Sequence, residues 1–136
     1  MNGLPIIATT LLRLVRNPRW VLLLDAIGAA LTALTAFLLL ASERVDTGLP
    51  TGLLVAMGVA AVGFALFDAA SLWLQADPFR SLQAIAMANA SYCVFAVAAL
   101  WVHRSTVTGL GLLYFCLEIP VIAFIAAWEW RIARRK

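Results

Sequence analysis

Four apolar windows, separated by short polar breaks, constrain this chain more than any other feature of its sequence. They cover residues 20–41, 51–74, 82–102 and 107–128. A helix rises about 1.5 Å per residue and needs about 20 apolar residues to cross a hydrocarbon core of about 30 Å. A spanning strand would be about 10 residues long with alternating polarity, so helices are expected instead. Each window is therefore long enough to cross a membrane once as a helix.

The overall composition excludes the common water-soluble classes of protein. Of the 136 residues, 64% are hydrophobic and 12% are charged, whereas a soluble domain carries about 25% charged residues. A globule of this length buries about 70% of its surface, so much of its remaining exterior would be apolar in water. An ordinary soluble domain, a disordered chain and a disulfide-stapled secreted module are therefore excluded.

The windows predict an all-α, polytopic membrane protein whose four transmembrane helices form one antiparallel bundle. The connections are too short to separate two domains, so the whole chain is predicted to be a single membrane domain. In residues 1–19, Leu4, Ile7 and Leu11 recur at helical spacing. This spacing predicts a short amphipathic helix on the membrane surface. Residues 129–136 are predicted to form a basic tail.

Basic residues near the window ends predict the orientation of the bundle. Only Arg44 and Arg104 lie on the side opposite the termini. The side of the termini holds Arg13, Arg16, Arg19, Arg80, Arg131, Arg134, Arg135 and Lys136. Cytoplasmic loops carry the excess of Lys and Arg, so both termini are predicted in the cytoplasm, with the protein in the cell membrane. The basic ends predict contact with anionic lipid head groups, and no nucleic-acid partner is expected.

Three carboxyl groups and one amide lie well inside the apolar windows, one in each window: Asp25, Asp68, Asn89 and Glu118. Such groups are costly inside a membrane and by default mark functional sites. Counted from the cytoplasmic end of each window, they lie about 8, 9, 10 and 15 Å deep. We therefore predict one polar layer in the cytoplasmic half of the bundle. Tyr114 lies one helical turn before Glu118 and completes the set of candidate residues.

This predicted layer has two interpretations. No Lys, Arg or His lies inside any window, so an intramembrane ion pair within one chain is not expected. The candidates Asp25, Asp68, Asn89, Tyr114 and Glu118 form either a hydrogen-bonded structural knot or a site that exchanges a proton, a cation or a small polar ligand. The sequence leaves both interpretations open.

Other kinds of chemistry are not indicated by the sequence. Cys93 and Cys116 are expected near the middle of the membrane on adjacent helices, and we interpret them as small buried hydrophobic residues. The sequence has no phosphate-binding glycine loop, dinucleotide fingerprint, metal-ligand spacing or nucleophile elbow. It therefore predicts no cofactor, no metal and no catalytic residue, and gives no support for an enzyme.

Several short stretches resemble a family of small bacterial four-helix membrane proteins to which no activity is assigned. They are Asp25-Ala26-Ile27-Gly28-Ala29, Phe67-Asp68, Asp77-Pro78-Phe79-Arg80, Ala86-Met87-Ala88-Asn89-Ala90-Ser91-Tyr92-Cys93, Leu112-Leu113-Tyr114-Phe115 and Glu118-Ile119. The resemblance covers most of residues 20–128. It implies the fold, a membrane location and a bacterial source, and it transfers no catalytic role to any residue.

The sequence predicts a non-enzymatic structural or interaction protein with an intramembrane polar cluster, and two other classes of function are alternatives. A protein of the predicted class associates with a second copy of itself or with another membrane protein, as small-residue helix faces permit. The first alternative is a small oligomeric transporter or a proton- or cation-coupled carrier. The second alternative is a membrane enzyme acting on a lipid or a quinone.

Overall fold

The computed structural model describes residue 14, residues 16–42 and residues 45–135. Its helices are α1 (Pro18–Ala41), α2 (Thr51–Trp73), α3 (Pro78–Val102) and α4 (Gly109–Ala133). All four are long and apolar enough to cross a membrane, which confirms the predicted all-α protein with four spans. The predicted amphipathic N-terminal helix depends mainly on residues 1–13 and 15, which lie outside the described residues.

Two of the helices begin at a capping side chain followed by proline. The Asn17 side chain accepts a hydrogen bond from the backbone N–H of Arg19 at 3.0 Å, and Pro18 is the first residue of α1. Asp77 caps α3 in the same way, accepting from the backbone N–H of Phe79 at 3.0 Å. Proline suits the first turn because its missing N–H would have no intrahelical partner there.

Two helices extend beyond the windows predicted from the sequence. The third helix begins at Pro78 instead of residue 82, because this proline starts a helix and does not interrupt one. The fourth helix continues to Ala133 instead of ending at residue 128. Its last turns are buried against the bundle, with Ile132 only 2% exposed. Glu129, which the sequence interpretation assigned to the basic tail, therefore belongs to the last helix.

The helices pack as two antiparallel hairpins, α1 with α2 and α3 with α4. Within the first hairpin a glycine allows close approach: a Cβ on Gly58 would lie 3.2 Å from the ring of Phe37 and 3.4 Å from Cβ of Ala36. Between the hairpins, α3 contacts both α1 and α2, and α4 contacts α1. Packing is most extensive inside each hairpin, so polar contacts between the hairpins are a larger part of what joins one hairpin to the other.

The α1–α2 and α3–α4 connections contact each other at one end of the bundle. The backbone N–H of Thr108 donates to the Thr47 carbonyl at 3.0 Å, and the Thr108 hydroxyl donates to the Asp46 carbonyl at 2.6 Å. Gly48 has a φ of 73°, a conformation that favours glycine. A Cβ on Gly111 would collide with the Thr47 carbonyl oxygen. These contacts fix the two hairpins to each other at the end remote from Pro18.

The outward surface of the bundle is apolar, as a lipid-facing surface requires. Leu38, Leu66 and Phe124 are 60%, 64% and 72% exposed. At the helix ends, Trp73 is 88% exposed and Trp101 is 70% exposed, in the positions where indole rings meet the membrane interface. A soluble monomer would not expose apolar area on this scale. The protein is therefore a multi-pass membrane protein.

Candidate functional site

Three buried acids and one amide, one from each helix, meet in the interior of the bundle. They are Asp25 of α1, Asp68 of α2, Asn89 of α3 and Glu129 of α4, and we call them the carboxyl cluster. Asp25 and Asn89 are each 5% exposed, and Asp68 and Glu129 are each 0% exposed. Burial this complete is rare for acidic side chains unless they are paired.

Asn89 connects the two hairpins through its amide group. Its Nδ2 donates to Asp25 Oδ1 at 3.1 Å and to Glu129 Oε2 at 3.3 Å. Both bonds join distant parts of the chain, because Asp25 belongs to the first hairpin and Glu129 to the last helix. The fourth member, Asp68, lies within hydrogen-bonding reach of the Asp25 carboxyl. The cluster therefore joins all four helices at one point.

Most of the buried carboxyl oxygens in the cluster have no hydrogen-bond donor. Among the described residues, Asp25 Oδ2, both oxygens of Asp68 and Glu129 Oε1 lack one. No Lys, Arg or His side chain in the described part of the chain forms a salt bridge with these acids, since Arg80 and Asp77 form the pair found there. Carboxylates in contact repel each other, and an unpaired buried charge is costly. A proton or a cation between the acids would relieve both problems.

An apolar layer separates the carboxyl cluster from the nearer end of the bundle. Leu22 lies about one helical turn before Asp25, and Ile85 about one turn before Asn89; each is 1% exposed. The whole layer consists of Val21, Leu22, Leu82, Ile85, Ile132 and Ala133. Access to the cluster along the bundle axis from this end is therefore closed by packed side chains.

Glu118 is not part of the carboxyl cluster, so the prediction of one polar layer is wrong in this respect. It lies three helical turns before Glu129 on α4, about 16 Å away along the helix. The Tyr114 hydroxyl donates to Glu118 Oε1 at 2.7 Å, and the Tyr92 hydroxyl donates to the same oxygen at 3.4 Å. We call Glu118, Tyr114 and Tyr92 the tyrosine–glutamate group. Glu118 Oε2 is buried without a donor among the described residues.

A cavity of about 60 Å³ lies beside the carboxyl cluster and is lined by Asp25, Asn89 and Tyr92. Gly28 and Thr32 of α1 also line it. A water molecule needs about 10–15 Å³ of such space, so the cavity has room for several waters or for a small cationic group. Asp25, whose Oδ2 is buried without a donor among the described residues, therefore forms part of the wall of this cavity.

The other polar candidates show no reactive arrangement. Within the described ranges no group of three or more His, Cys, Asp or Glu side chains is placed to hold a metal ion. Both cysteines are free thiols: Cys93 is buried as expected, whereas Cys116 is exposed on the outside of the bundle. The Cys93 thiol lies 3.7 Å from the Ile119 carbonyl oxygen.

Comparison of this chain with protein-family models, with curated proteins and with solved structures finds no match.

The structure brings together three of the five candidates from the sequence, Asp25, Asp68 and Asn89. Tyr114 and Glu118 lie together in the separate tyrosine–glutamate group. Sequence interpretation missed Glu129, because a basic tail follows it closely. One signal could have found it: Glu129 is flanked by two tryptophans, and Ala126, Ile132 and Ala133 lie three or four positions away on the same buried face.

Proposed function

We propose that this protein is a small proton-coupled cation carrier of the cell membrane. Asp25, Asp68 and Glu129 would hold exchangeable protons that a cation displaces. The observation that carries this proposal is the environment of Asp68, which is 0% exposed and has no donor to either oxygen among the described residues. It lies against Asp25 and near Glu129. This arrangement stores negative charge that a proton or a cation can neutralise in turn.

A purely structural knot explains the acids less well. Asp68 lies within hydrogen-bonding reach of Asp25, so these two carboxyls satisfy each other only while a proton is held between them, and unsatisfied buried polar atoms are costly. Here Asn89 supplies both of the hydrogen bonds found within the cluster, and it serves one oxygen of Asp25 and one of Glu129. The remaining oxygens favour a group that binds and releases something.

The packing of the helices supports alternating access. Helices pack most extensively within the two hairpins, and several carriers work by rocking one bundle against another around a fixed site. The carboxyl cluster lies where the hairpins meet. We propose that a second copy of the chain completes the transport path, because four helices enclose only about 60 Å³ beside the cluster.

A second candidate function is a structural or interaction protein with no transport activity. One observation favours it: the carboxyl cluster has one member on each of the four helices, and the Asn89 amide connects the two hairpins. Removal of a member would then reduce stability without affecting any flux. The two candidates therefore differ in what they predict for Asp68.

The proposed orientation places both termini in the cytoplasm. It is supported by the excess of Lys and Arg on that side of the sequence. In this orientation the carboxyl cluster lies in the cytoplasmic half of the membrane, and the basic ends contact anionic lipid head groups.

Liposomes that contain the purified protein and carry an imposed pH gradient test the carrier proposal. Sodium, potassium and a series of quaternary alkylammonium ions, which have no neutral form that could cross the bilayer unaided, are added outside, one at a time, while an enclosed dye reports the internal pH. We expect at least one cation to collapse the gradient with the wild type and not with Asp68→Asn. Asp46→Asn is the matched control, because it makes the same change outside the spans and keeps an oxygen for the Gly48 N–H. If no cation collapses the gradient, the carrier proposal is wrong.

A further inference from the structure

A lateral groove between α1 and α4 extends from the carboxyl cluster toward the tyrosine–glutamate group. A second space of about 360 Å³ lies next to the cavity beside Asp25, and Glu118 and Tyr114 line it. Gly28 and Val121 line both spaces. The two polar groups therefore lie along one gap between the same pair of helices.

The walls of this groove are apolar and open toward lipid. Leu31, Leu117 and Val121 line the larger space and are 58%, 63% and 58% exposed. Gly28 keeps the gap open, because a Cβ built on it meets nothing within 4 Å. A ligand could therefore enter sideways from the membrane, whereas the apolar layer around Leu22 closes the end of the bundle.

The carboxyl groups of Asp25 and Glu118 in its walls define what the groove recognises. Asp25 is 5% exposed and lines the smaller space, and its Oδ2 lacks a donor among the described residues. Glu118 lines the larger space, and its Oε2 also lacks a donor there. A complementary ligand supplies N–H donors and a positive charge at one end and an apolar body for the walls. An alkylammonium ion meets both requirements.

We propose that the α1–α4 groove binds an amphiphilic alkylammonium ion that enters from the lipid, with its ammonium group on Glu118 and then on Asp25. This inference rests on the proposed function and names its cation. The tyrosine–glutamate group is the outer contact, since Tyr114 and Tyr92 occupy only one oxygen of Glu118. The carboxyl cluster is the inner contact, where the cation replaces a proton.

Equilibrium binding of radiolabelled octylammonium to the protein in nanodiscs of zwitterionic lipid tests this proposal, with empty nanodiscs subtracted. We expect saturable binding that Glu118→Gln and Gly28→Leu each weaken about tenfold or more. Gly28→Leu fills the groove without removing a carboxyl group. Gly63→Leu is its matched control, because a Cβ on Gly63 also meets nothing within 4 Å but lies on α2, away from the groove. This control should bind as the wild type does.

Octanol, with a similar chain and no charge, distinguishes a cation site from a site for any alkyl chain. Equal binding of octanol, or octylammonium binding that Glu118→Gln leaves unchanged, would overturn the proposal. Absence of octylammonium binding would also overturn the groove proposal. The carrier proposal would still stand in that case if another cation collapsed the pH gradient in the wild type and not in Asp68→Asn. Octylammonium binding with no cation-driven collapse would instead support the groove and contradict the carrier. Helix content and monodispersity of each variant confirm that it is folded.

Discussion

Asp68 is the residue whose environment is least compatible with a purely stabilising role. Replacing it by asparagine supplies N–H donors beside Asp25 that do not depend on a bound proton. We predict that Asp68→Asn raises the free energy of unfolding by about 1 kcal/mol, the scale of polar interactions in membrane proteins, while it abolishes cation-driven proton exchange. Thermal unfolding in detergent at neutral pH measures the first effect.

The Asp46→Asn variant serves as the control for this measurement and should change the unfolding temperature little. Raising the pH should increase the advantage of Asp68→Asn, because the wild-type acids then lose the protons that keep them from repelling each other. A loss of stability in Asp68→Asn at neutral pH would favour the structural knot. Stability gained at the expense of function is typical of active-site residues.

Asn89 has the opposite role, since it supplies both hydrogen bonds found in the cluster. We predict that Asn89→Leu lowers the free energy of unfolding by roughly 1–2 kcal/mol, because it leaves Asp25 and Glu129 without their donor. The midpoint of thermal unfolding measures this loss. Ser91→Ala is the control: Ser91 is exposed on the same helix and bonds only to the Met87 carbonyl. Equal effects of the two changes would contradict the role given to Asn89.

Sequence reasoning at the residue scale found Asp25, Asp68 and Asn89 because polar groups inside apolar windows are costly. It misplaced Glu118 because depth was counted from residue 128, whereas the helix ends at Ala133. From that end Glu118 is about 22 Å deep. The helix end itself depends on burial of the last turns against other helices, which is a tertiary effect that no local pattern in the basic tail reveals.

At the scale of elements, the contact between the two connections depends on glycine. We predict that Gly111→Ala destabilises the protein by about 2 kcal/mol or more, because the added Cβ collides with the Thr47 carbonyl in a segment whose own hydrogen bonds hold it in place. Gly109→Ala, two residues earlier in the same helix, meets nothing within 4 Å and should be nearly neutral. Unfolding of the two variants in detergent compares them directly. Similar stabilities would show that the connections are not fixed to each other.

The helices themselves were largely predictable, since length and hydropathy determine them almost alone. The Asn17-Pro18 start of α1 follows the capping preferences of helix N-termini and lies about two residues from the predicted window. The Asp77-Pro78 start of α3 has the same chemistry, yet the predicted window begins only at residue 82. Proline is ambiguous in sequence, because it ends one helix and begins another equally well.

At the scale of the whole molecule, the even number of spans places both ends on one side, and the basic residues predict that this side is the cytoplasm. A fluorescent protein fused after Lys136 should therefore fluoresce, because it folds in the cytoplasm. Alkaline phosphatase inserted after Ser105, in the α3–α4 connection, should be active because it is exported. The reverse pattern would contradict the orientation and would place the carboxyl cluster in the outer half of the membrane.

The bundle as a whole has a polar cluster in its interior and an apolar exterior. Among the described residues, four acidic side chains lie within the helices. The described basic residues lie either outside the helices or, as Arg19, Arg80 and Arg131 do, near a helix end. The interior therefore has no counter-charge of its own in the described chain. This imbalance, together with the open α1–α4 gap, is what makes exchange with an external cation or proton the central claim.

Infrared spectroscopy of the protein in lipid at neutral pH tests this claim most directly, through the carbonyl stretch of protonated carboxylic acids. The account predicts such a band in the wild type, a shift of the band in heavy water as the protons exchange, and loss of intensity in Asp68→Asn but not in Asp46→Asn. A spectrum with no protonated-carboxyl band, or with a band that does not shift in heavy water, would contradict it.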